Sequence, residues 1–399
     1  MRWLAGVLLV ATPVAVWAED ARLSELRGML VPMRQHPYEH LESRGATPEL
    51  TVVKHKLRDW IESRVAALAP NEDPALLTLQ LNAELKGAGL FSDGQTQYPQ
   101  PESWVGFLGP VLIHRQAWSE FLLVQTAMGI QCGFDWSGYA YERSGDRWRR
   151  IWQSEQDDYR KGKYLPQNLH AVLISPTDHR PHGDKSAPLV LTLGDQPWCT
   201  SNWRNVDVRL WRTKTGDAEP KLLLDLGEPA YLGSHDPPIQ GSVGPDDVLV
   251  EYSVAGGEHS RPEIRHYTVE QDKVKRVDPI ALRPRDFVEE WFLRPWTEVS
   301  RWTEPGSRAR MEKRHGVRHE FSEFTHPTLH CGAKPDLWQI QIDFGDAEKQ
   351  IPEYFLIRWR PPYRFIMVDV SDRPWPGCVE PDPAADEVRT LFPTQDWRE

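Results

Sequence analysis

The sequence predicts a mainly β protein: three propeller-like, four-stranded antiparallel meander units, with an N-terminal helical segment and a C-terminal α+β domain. Three observations support this fold class. Apolar residues recur at helical spacing up to residue 91 and at alternate positions after residue 103. Short alternating segments then follow one another with turn residues between them. Finally, residues 132–136 (CGFDW) have a counterpart in residues 199–203 (CTSNW), as expected of two copies of one structural unit.

Residues 1–18 have the pattern of a secretory signal peptide. Arg2 is followed by an apolar run, and the small residues Val16 and Ala18 precede the expected cleavage point. The run is shorter than the about 20 residues that a membrane-spanning helix needs. We therefore expect cleavage, a secreted or periplasmic location and no membrane span afterwards. An uncleaved anchor and a buried first helix are the alternatives.

Residues 19–91 are predicted to form the N-terminal helical region, because their apolar residues recur at helical spacing. Two pairs, Thr47-Pro48 and Asp73-Pro74, each place a capping residue before a proline at the first helical position. They predict the starts of a second and a third helix.

Residues 103–283 are predicted to form the β repeat domain. The expected strands are 111–115, 121–130, 138–143 and 147–152 in the first unit, 171–175, 189–194, 206–212 and 221–226 in the second, and 247–255, 263–269 and 273–278 in the third, with a fourth from 231–243. Closed propellers usually have four to eight such units. We therefore expect either an open propeller-like arc or a sandwich.

Residues 284–378 predict a C-terminal α+β domain, since a helical pattern is followed by long alternating strands. Asp286 is predicted to cap the first helix, and Pro295 to interrupt it. A basic helical turn is expected at residues 308–315. The tail, residues 379–399, shows no periodic pattern.

The chain has four cysteines, and an even number in an exported protein favours disulfides over free thiols. Three pairings are open. We favour Cys132 with Cys199, because they hold equivalent positions in neighbouring units. This choice leaves Cys331 to pair with Cys378.

Composition excludes some functional classes. A formal net charge of −11 argues against nucleic-acid binding, which requires a basic surface. The sequence contains no nucleophile elbow, phosphate loop, dinucleotide fingerprint, H-E-x-x-H motif or EF-hand loop. It therefore predicts no cofactor and none of the familiar enzymes that carry these motifs.

A histidine-rich segment gives one candidate metal site. Two H-x-x-x-H pairs occur there, and this spacing on a helix places both imidazoles on one face, where they can bind zinc. The candidate ligands are His315, His319, His326 and His330. Gly316 and Pro327 argue against a continuous helix, so a solvated connection is the favoured interpretation.

Loops of the repeat domain give a second set of candidates for ligand binding. Functional residues are concentrated on loops, and a histidine and a carboxylate from different loops can converge as acid and base. The candidates are His179, His182, His235, Asp236 and His259, together with Trp211 as an exposed ring that can stack on a ligand. Three unrelated hydrophilic connections are the simpler interpretation of the loops.

Two functional hypotheses remain from different classes. The favoured one is a non-enzymatic binding or interaction module of the cell envelope or extracellular space, whose partner is a glycan, a peptide or an envelope protein. The alternative is an exported hydrolase with a dispersed His/Asp/Glu site. A deep pocket with convergent acids and histidines is typical of the enzyme, and a shallow aromatic or charged face is typical of the binder.

Overall fold

The computed structural model shows a mainly β protein with helices at its N-terminal end and beside its last sheet. The structure describes residues 20–35, 48–69, 71–92, 105–116, 121–130, 133–155, 167–176, 187–196, 203–213, 219–231, 239–256, 259–277, 281, 283–315, 326–332, 336–344, 351–360 and 364–380.

Three helices open the described chain, as the sequence predicts. They are α1 (Ala21–Gln35), α2 (Pro48–Val65) and α3 (Pro74–Gly87). The start of α3 is fixed locally, because the Asp73 side chain accepts a hydrogen bond from the Ala75 N–H at 2.9 Å. Buried side chains of the three helices share one apolar core with the first sheet, where Trp60, Leu81 and Tyr139 are almost completely inaccessible.

The first sheet is an antiparallel meander in chain order. Its strands are β1 (Leu112–Arg115), β2 (Phe121–Ile130), β3 (Gly133–Ser144) and β4 (Arg147–Ser154). All residues of β2 are buried because both faces of the sheet are covered. Leu122 and Val124 face the helices, whereas Phe121 and Leu123 face the second sheet.

The second and third sheets repeat this arrangement. Their strands are β5 (Asn168–Ile174), β6 (Leu189–Asp195), β7 (Trp203–Arg212) and β8 (Lys221–Tyr231), then β9 (Ile239–Val243), β10 (Asp247–Gly256), β11 (His259–Glu270) and β12 (Lys273–Arg276). In β6, Val190 faces the first sheet, whereas Leu191 and Leu193 face the third. The three predicted meanders are therefore present, and they stack face to face in chain order.

The C-terminal part combines helices with a fourth antiparallel sheet of strand order β16-β15-β14-β13-β17. The elements are α4 (Pro284–Leu293), α5 (Trp296–Val299), α6 (Arg308–His315), β13 (Leu329–Cys331), β14 (Leu337–Phe344), β15 (Ile351–Arg360), β16 (Arg364–Ser371) and β17 (Cys378–Val379). One face of this sheet packs on α4 through aromatic side chains such as Phe287 and Trp291.

The predicted cap of α4 is wrong. Arg283 holds the cap position and makes no capping hydrogen bond through its side chain. Asp286 lies in the first turn, where it is buried and accepts two hydrogen bonds from the Arg283 guanidinium, at 3.0 and 3.1 Å. An acidic side chain in the first turn still complements the helix dipole, and this explains why the sequence signal resembled a cap.

Disulfide pairing is confirmed where the structure describes it. Cys331 and Cys378 are bonded and lie opposite each other in the paired strands β13 and β17. The predicted tail, residues 379–399, therefore begins one residue too early, since Val379 belongs to β17. The predicted Cys132–Cys199 bridge and the signal peptide lie outside the described residues. None of the described helices is long and apolar enough to cross a bilayer.

Candidate functional site

An open cleft with a volume of about 480 Å³ lies where β8, β11 and β12 meet the corner between α4 and α5. We call it the arginine cleft. Its charged lining consists of Arg265, Arg276, Arg294, Arg301, Glu228 and Glu298. The remaining lining includes Leu226, Tyr267, Pro295 and Thr297, so apolar and hydrogen-bonding surfaces adjoin the charges.

The alternation of side chains along β11 positions the buried residues in and beneath the lining of the cleft. Glu263, Arg265 and Tyr267 occupy every second position of β11 and share the face that looks toward the second sheet. Arg276 follows from the neighbouring strand, opposite Tyr267. Arg294 ends α4, and this position brings its guanidinium beside the strand residues.

Arg265 is the centre of a buried ion-pair network. Its guanidinium donates to Glu228 at 2.7 Å and also contacts Glu263, while its Nε donates to the Tyr252 hydroxyl at 3.2 Å. Tyr252 in turn donates to Glu228. Burial alone lowers the pKa of Arg265, but the surrounding carboxylates more than offset this effect and raise the pKa above its ordinary value. Arg265 is therefore a fixed positive charge.

Two buried glutamates beneath the cleft hold the guanidinium groups of Arg276 and Arg294. Glu290 accepts from Arg276 at 2.5 Å and lies 3.5 Å from the Nε of Arg294. Glu263 accepts from Arg294 at 2.9 Å. Arg276 also donates to Glu298 at 2.9 Å. These contacts fix the orientation of Arg276 and Arg294, so a ligand would meet preorganised groups.

His315 supports the corner that carries Arg294. Its Nε2 lies 3.1 Å from the Trp291 carbonyl oxygen and 2.8 Å from the Arg294 carbonyl oxygen. Both are acceptors, so this nitrogen must carry the proton and donate. The ring also contacts Trp291 and Trp296. His315 was predicted to bind a metal ion, but its Nε2 donates hydrogen bonds to the carbonyl groups at the end of α4 and is not free to do so.

The other predicted metal ligands are not brought together as a helical face. His326 pairs with Asp343, with 2.6 Å between its Nε2 and the carboxylate. His330 lies in strand β13, and its ring packs edge-to-face on Trp338. His319 lies outside the described residues. Within the described ranges, no group of three His, Cys, Asp or Glu side chains is placed to hold a metal ion.

The predicted exposed ring of Trp211 is buried more deeply than expected. It does point away from Leu210, but that face of the second sheet is covered by the first sheet. Trp211 is half-buried and packs edge-to-face on Trp152, with ring centroids 6.5 Å apart. It therefore fills the contact between two sheets.

The predicted loop residues are mostly untested. His179, His182, His235 and Asp236 lie outside the described part of the chain. His259 does not lie in a loop, because it is the first residue of β11 and its backbone pairs with Gly256.

A second polar cluster lies at the end of the second sheet, and the sequence interpretation missed it. Asp195 is fully buried and lies 2.9 Å from His170 Nε2 and 3.3 Å from the Arg204 guanidinium. A break in the β5–β6 register leaves His170 unpaired between Leu169 and Ala171. Such bulges turn a side chain away from the regular pleat, and here the side chain contacts Asp195.

The arginine cleft was also missed, although a signal exists. Glu263 and Arg265 occupy alternate strand positions where the β pattern predicts apolar core residues. Charged residues at such positions must be paired when the strand is buried. No known protein family and no curated protein matches this chain.

Proposed function

We propose that this chain is an exported, non-enzymatic binding protein of the cell envelope or extracellular space, whose ligand lies in the arginine cleft. The signal-peptide pattern of residues 1–18 and the Cys331–Cys378 disulfide support export to an oxidising compartment. The cleft supports binding, because its volume of about 480 Å³ falls in the usual range for small-ligand sites.

The observation that carries the proposal is the pairing of the cleft's arginines with buried glutamates. A buried guanidinium costs free energy unless it is paired, and the arrangement around Arg265 uses Glu228 and Glu263 to offset that cost. A buried ion pair adds little net stability, because the cost of removing both charges from water offsets most of their attraction. Since the side chains open onto a cleft, we infer that their fixed geometry serves a ligand.

We further infer that the three sheets form an open propeller-like arc, with the arginine cleft at its C-terminal end. Each sheet is a four-stranded meander in chain order, and consecutive sheets pack face to face. The C-terminal helices follow the third meander in the chain, and α4 contacts β11. This placement gives the cleft walls from three separate parts of the chain, as is common for binding sites in repeat proteins.

The test is retention of the purified protein on immobilised cell-wall polymers and envelope extracts. Thr297 is an exposed, uncharged residue of the lining, so Thr297→Trp narrows the cleft and removes no member of the ion pairs. We expect this variant to lose retention, whereas Gln80→Trp, a matched change at an exposed site on α3, retains it. Equal retention of both variants would place binding elsewhere.

The second candidate function is the exported hydrolase, and the His170–Asp195 contact favours it specifically. If the His170 Nε2–H donates to Asp195, the ring's Nδ1 is left as a base, which is how carboxylates orient catalytic histidines. Hydrolysis of ester, glycoside or peptide substrates by the purified protein, abolished by His170→Ala, would support this function. Absence of turnover on all three classes would reject it.

A further inference from the structure

We propose that the ligand of the arginine cleft is a small molecule with a carboxylate group. This inference rests on the proposed binding function and adds the chemistry of the ligand. Its basis is an imbalance of charge between the lining of the cleft and the residues beneath it.

The lining carries four arginines but only two glutamates. The other two glutamates of the network, Glu263 and Glu290, lie beneath the lining and are almost completely inaccessible. A ligand in the cleft therefore meets more positive than negative groups. The guanidinium donors lie at the surface of the cleft, whereas two of the four carboxylates lie beneath it. The cleft therefore presents an anion with more donors than repelling carboxylates, even though the whole chain is acidic.

Arg301 is the guanidinium best placed to make a new contact. It is exposed at the mouth of the cleft, and its Nε donates to the Glu298 backbone carbonyl at 3.4 Å. Among the residues that the structure describes, no carboxylate pairs with Arg301. Its two terminal nitrogens are therefore available as a fork, and this geometry matches the two oxygens of a carboxylate.

The same charges limit the size of the ligand. A long polyanion would extend beyond the cleft and meet the field of a chain with formal net charge −11. A molecule with one or two carboxylates escapes most of this repulsion, because it lies within the cleft. Leu226, Tyr267 and Pro295 offer apolar contacts to its carbon skeleton, and Thr297 offers a hydroxyl.

The experiment measures binding of matched probe pairs to the full chain by calorimetry at low salt. The sugar pair is galacturonate and galactose, which differ only in the carboxylate. The peptide pair is Ala-Glu and its diamide Ala-Gln-NH₂, which differ only in that the carboxylates of the first are amides in the second. We expect at least one acidic probe to bind, and its neutral partner to bind about tenfold more weakly or not at all. The two pairs distinguish an acidic sugar from an acidic peptide as the source of the carboxylate.

Variants then assign the binding to the cleft. Arg301→Ala is expected to weaken binding of the acidic probe about tenfold or more, because a charge-assisted hydrogen bond is lost. Arg301→Lys keeps the charge but not the fork, so it restores binding only in part. Arg373→Ala, at an exposed arginine in the C-terminal sheet region, is the matched control and leaves affinity unchanged.

Two outcomes would overturn the inference. Equal binding of acidic and neutral probes, lost in Thr297→Trp, would leave the cleft as a binding site but reject the carboxylate. Failure of every probe, together with envelope retention that Thr297→Trp abolishes, would also reject the carboxylate while the proposed function stands. If retention itself survives Thr297→Trp, the proposed function fails instead.

Discussion

Asp207 is a buried carboxylate on β7 whose protonation links stability to pH. Burial raises its pKa to about 6, while Arg209 lowers it and Asp225 raises it by smaller amounts. Side chains alternate along β7, so Asp207 points away from the core between the second and third sheets. The opposite face of the strand is also covered, and Asp207 is buried there. Its charge is therefore poorly solvated.

The sign of the pH effect follows from this raised pKa. The folded state keeps the proton at higher pH than the unfolded chain, so Asp207 contributes stability below about pH 3.8 that is lost as pH rises through about 6. The unmodified protein should lose about 2–3 kcal/mol of unfolding free energy through Asp207 between pH 4 and pH 8. We expect Asp207→Asn to abolish this loss. Urea unfolding at several pH values measures it.

A control for this prediction is Asp59→Asn, at an exposed carboxylate on α2. It should leave the slope of unfolding free energy against pH unchanged. If the Asp207→Asn protein shows the same slope as the unmodified protein, the carboxylate is not protonated in the folded state near pH 6.

Residue roles could be predicted from sequence only where they depend on local contacts. The Asp73 cap was predictable, because donor and acceptor lie within the first turn of the same helix. The Arg265 network was not, because Glu228 and Glu290 come from different elements far along the chain. A histidine spacing such as that of His326 and His330 is also uninformative when the segment does not form one helix.

Helix α3 protects the exposed edge of the first sheet. Among the described strands, β1 pairs with β2 alone, and its other edge meets two side chains of α3 spaced one turn apart. Asn82 donates to the Val111 carbonyl at 2.8 Å and accepts from the Val111 N–H at 2.9 Å. Thr78 accepts from the Ile113 N–H at 3.0 Å. The helix thereby supplies hydrogen bonds that another strand would otherwise provide.

Removal of these side chains should expose the edge of β1. We expect Asn82→Ala to destabilise the protein by about 1–2 kcal/mol, since two part-buried backbone groups lose their partners. Thr78→Val should have a smaller effect. Hydrogen exchange of the Val111 and Ile113 amides, combined with urea unfolding, measures both changes.

Gln80→Ala serves as the comparison for the edge of β1, because Gln80 is exposed on the same helix and bonds only to Glu84 in the described structure. It should alter neither exchange rate. Faster exchange in this variant as well would show that α3 frays as a whole and that the individual hydrogen bonds are not decisive.

Strand β17 has two residues, and the disulfide joins one of them, Cys378, to Cys331 of β13. The bond joins cysteines separated by 47 positions, for which the loss of unfolded-state entropy contributes about 4 kcal/mol. We expect the double variant Cys331→Ala/Cys378→Ala to lose stability of this order and to expose the edge of β13. Thermal unfolding with and without reductant measures the loss.

The comparison for the disulfide is the unmodified protein under reducing conditions. Reductant should shift the midpoint of the unmodified protein by at least as much as the double substitution does. A double variant as stable as the oxidised protein would show that sheet pairing alone holds β17.

Sequence patterns missed β13 and β17 because segments of two or three residues carry no measurable period.

At the scale of the whole molecule, stacking of sheets depends on close approach at glycines. A Cβ at Gly138 would lie 3.0 Å from side-chain atoms of Leu169 and Val172 on β5. A Cβ at Gly241 would lie 2.9 Å from the Leu193 side chain on β6. These glycines lie where the first sheet meets the second and the second meets the third. The order of the meanders was predictable from sequence, but this stacking was not, because it depends on contacts between units.

Gly241 therefore offers a test of close packing at β9, both against the second sheet and within the third. We expect Gly241→Ala to destabilise the protein by about 1–3 kcal/mol, because the added methyl group would also meet the Leu249 carbonyl oxygen at 2.9 Å and backbone cannot move aside as a side chain can. Gly227→Ala is the matched change in β8, where the nearest atom, the Val206 carbonyl oxygen, is 4.0 Å away. Urea unfolding should find Gly227→Ala neutral. Equal effects of the two substitutions would mean that the second and third sheets are not packed this closely, and the arginine cleft, which needs both β8 and β11, would then lose one of its walls.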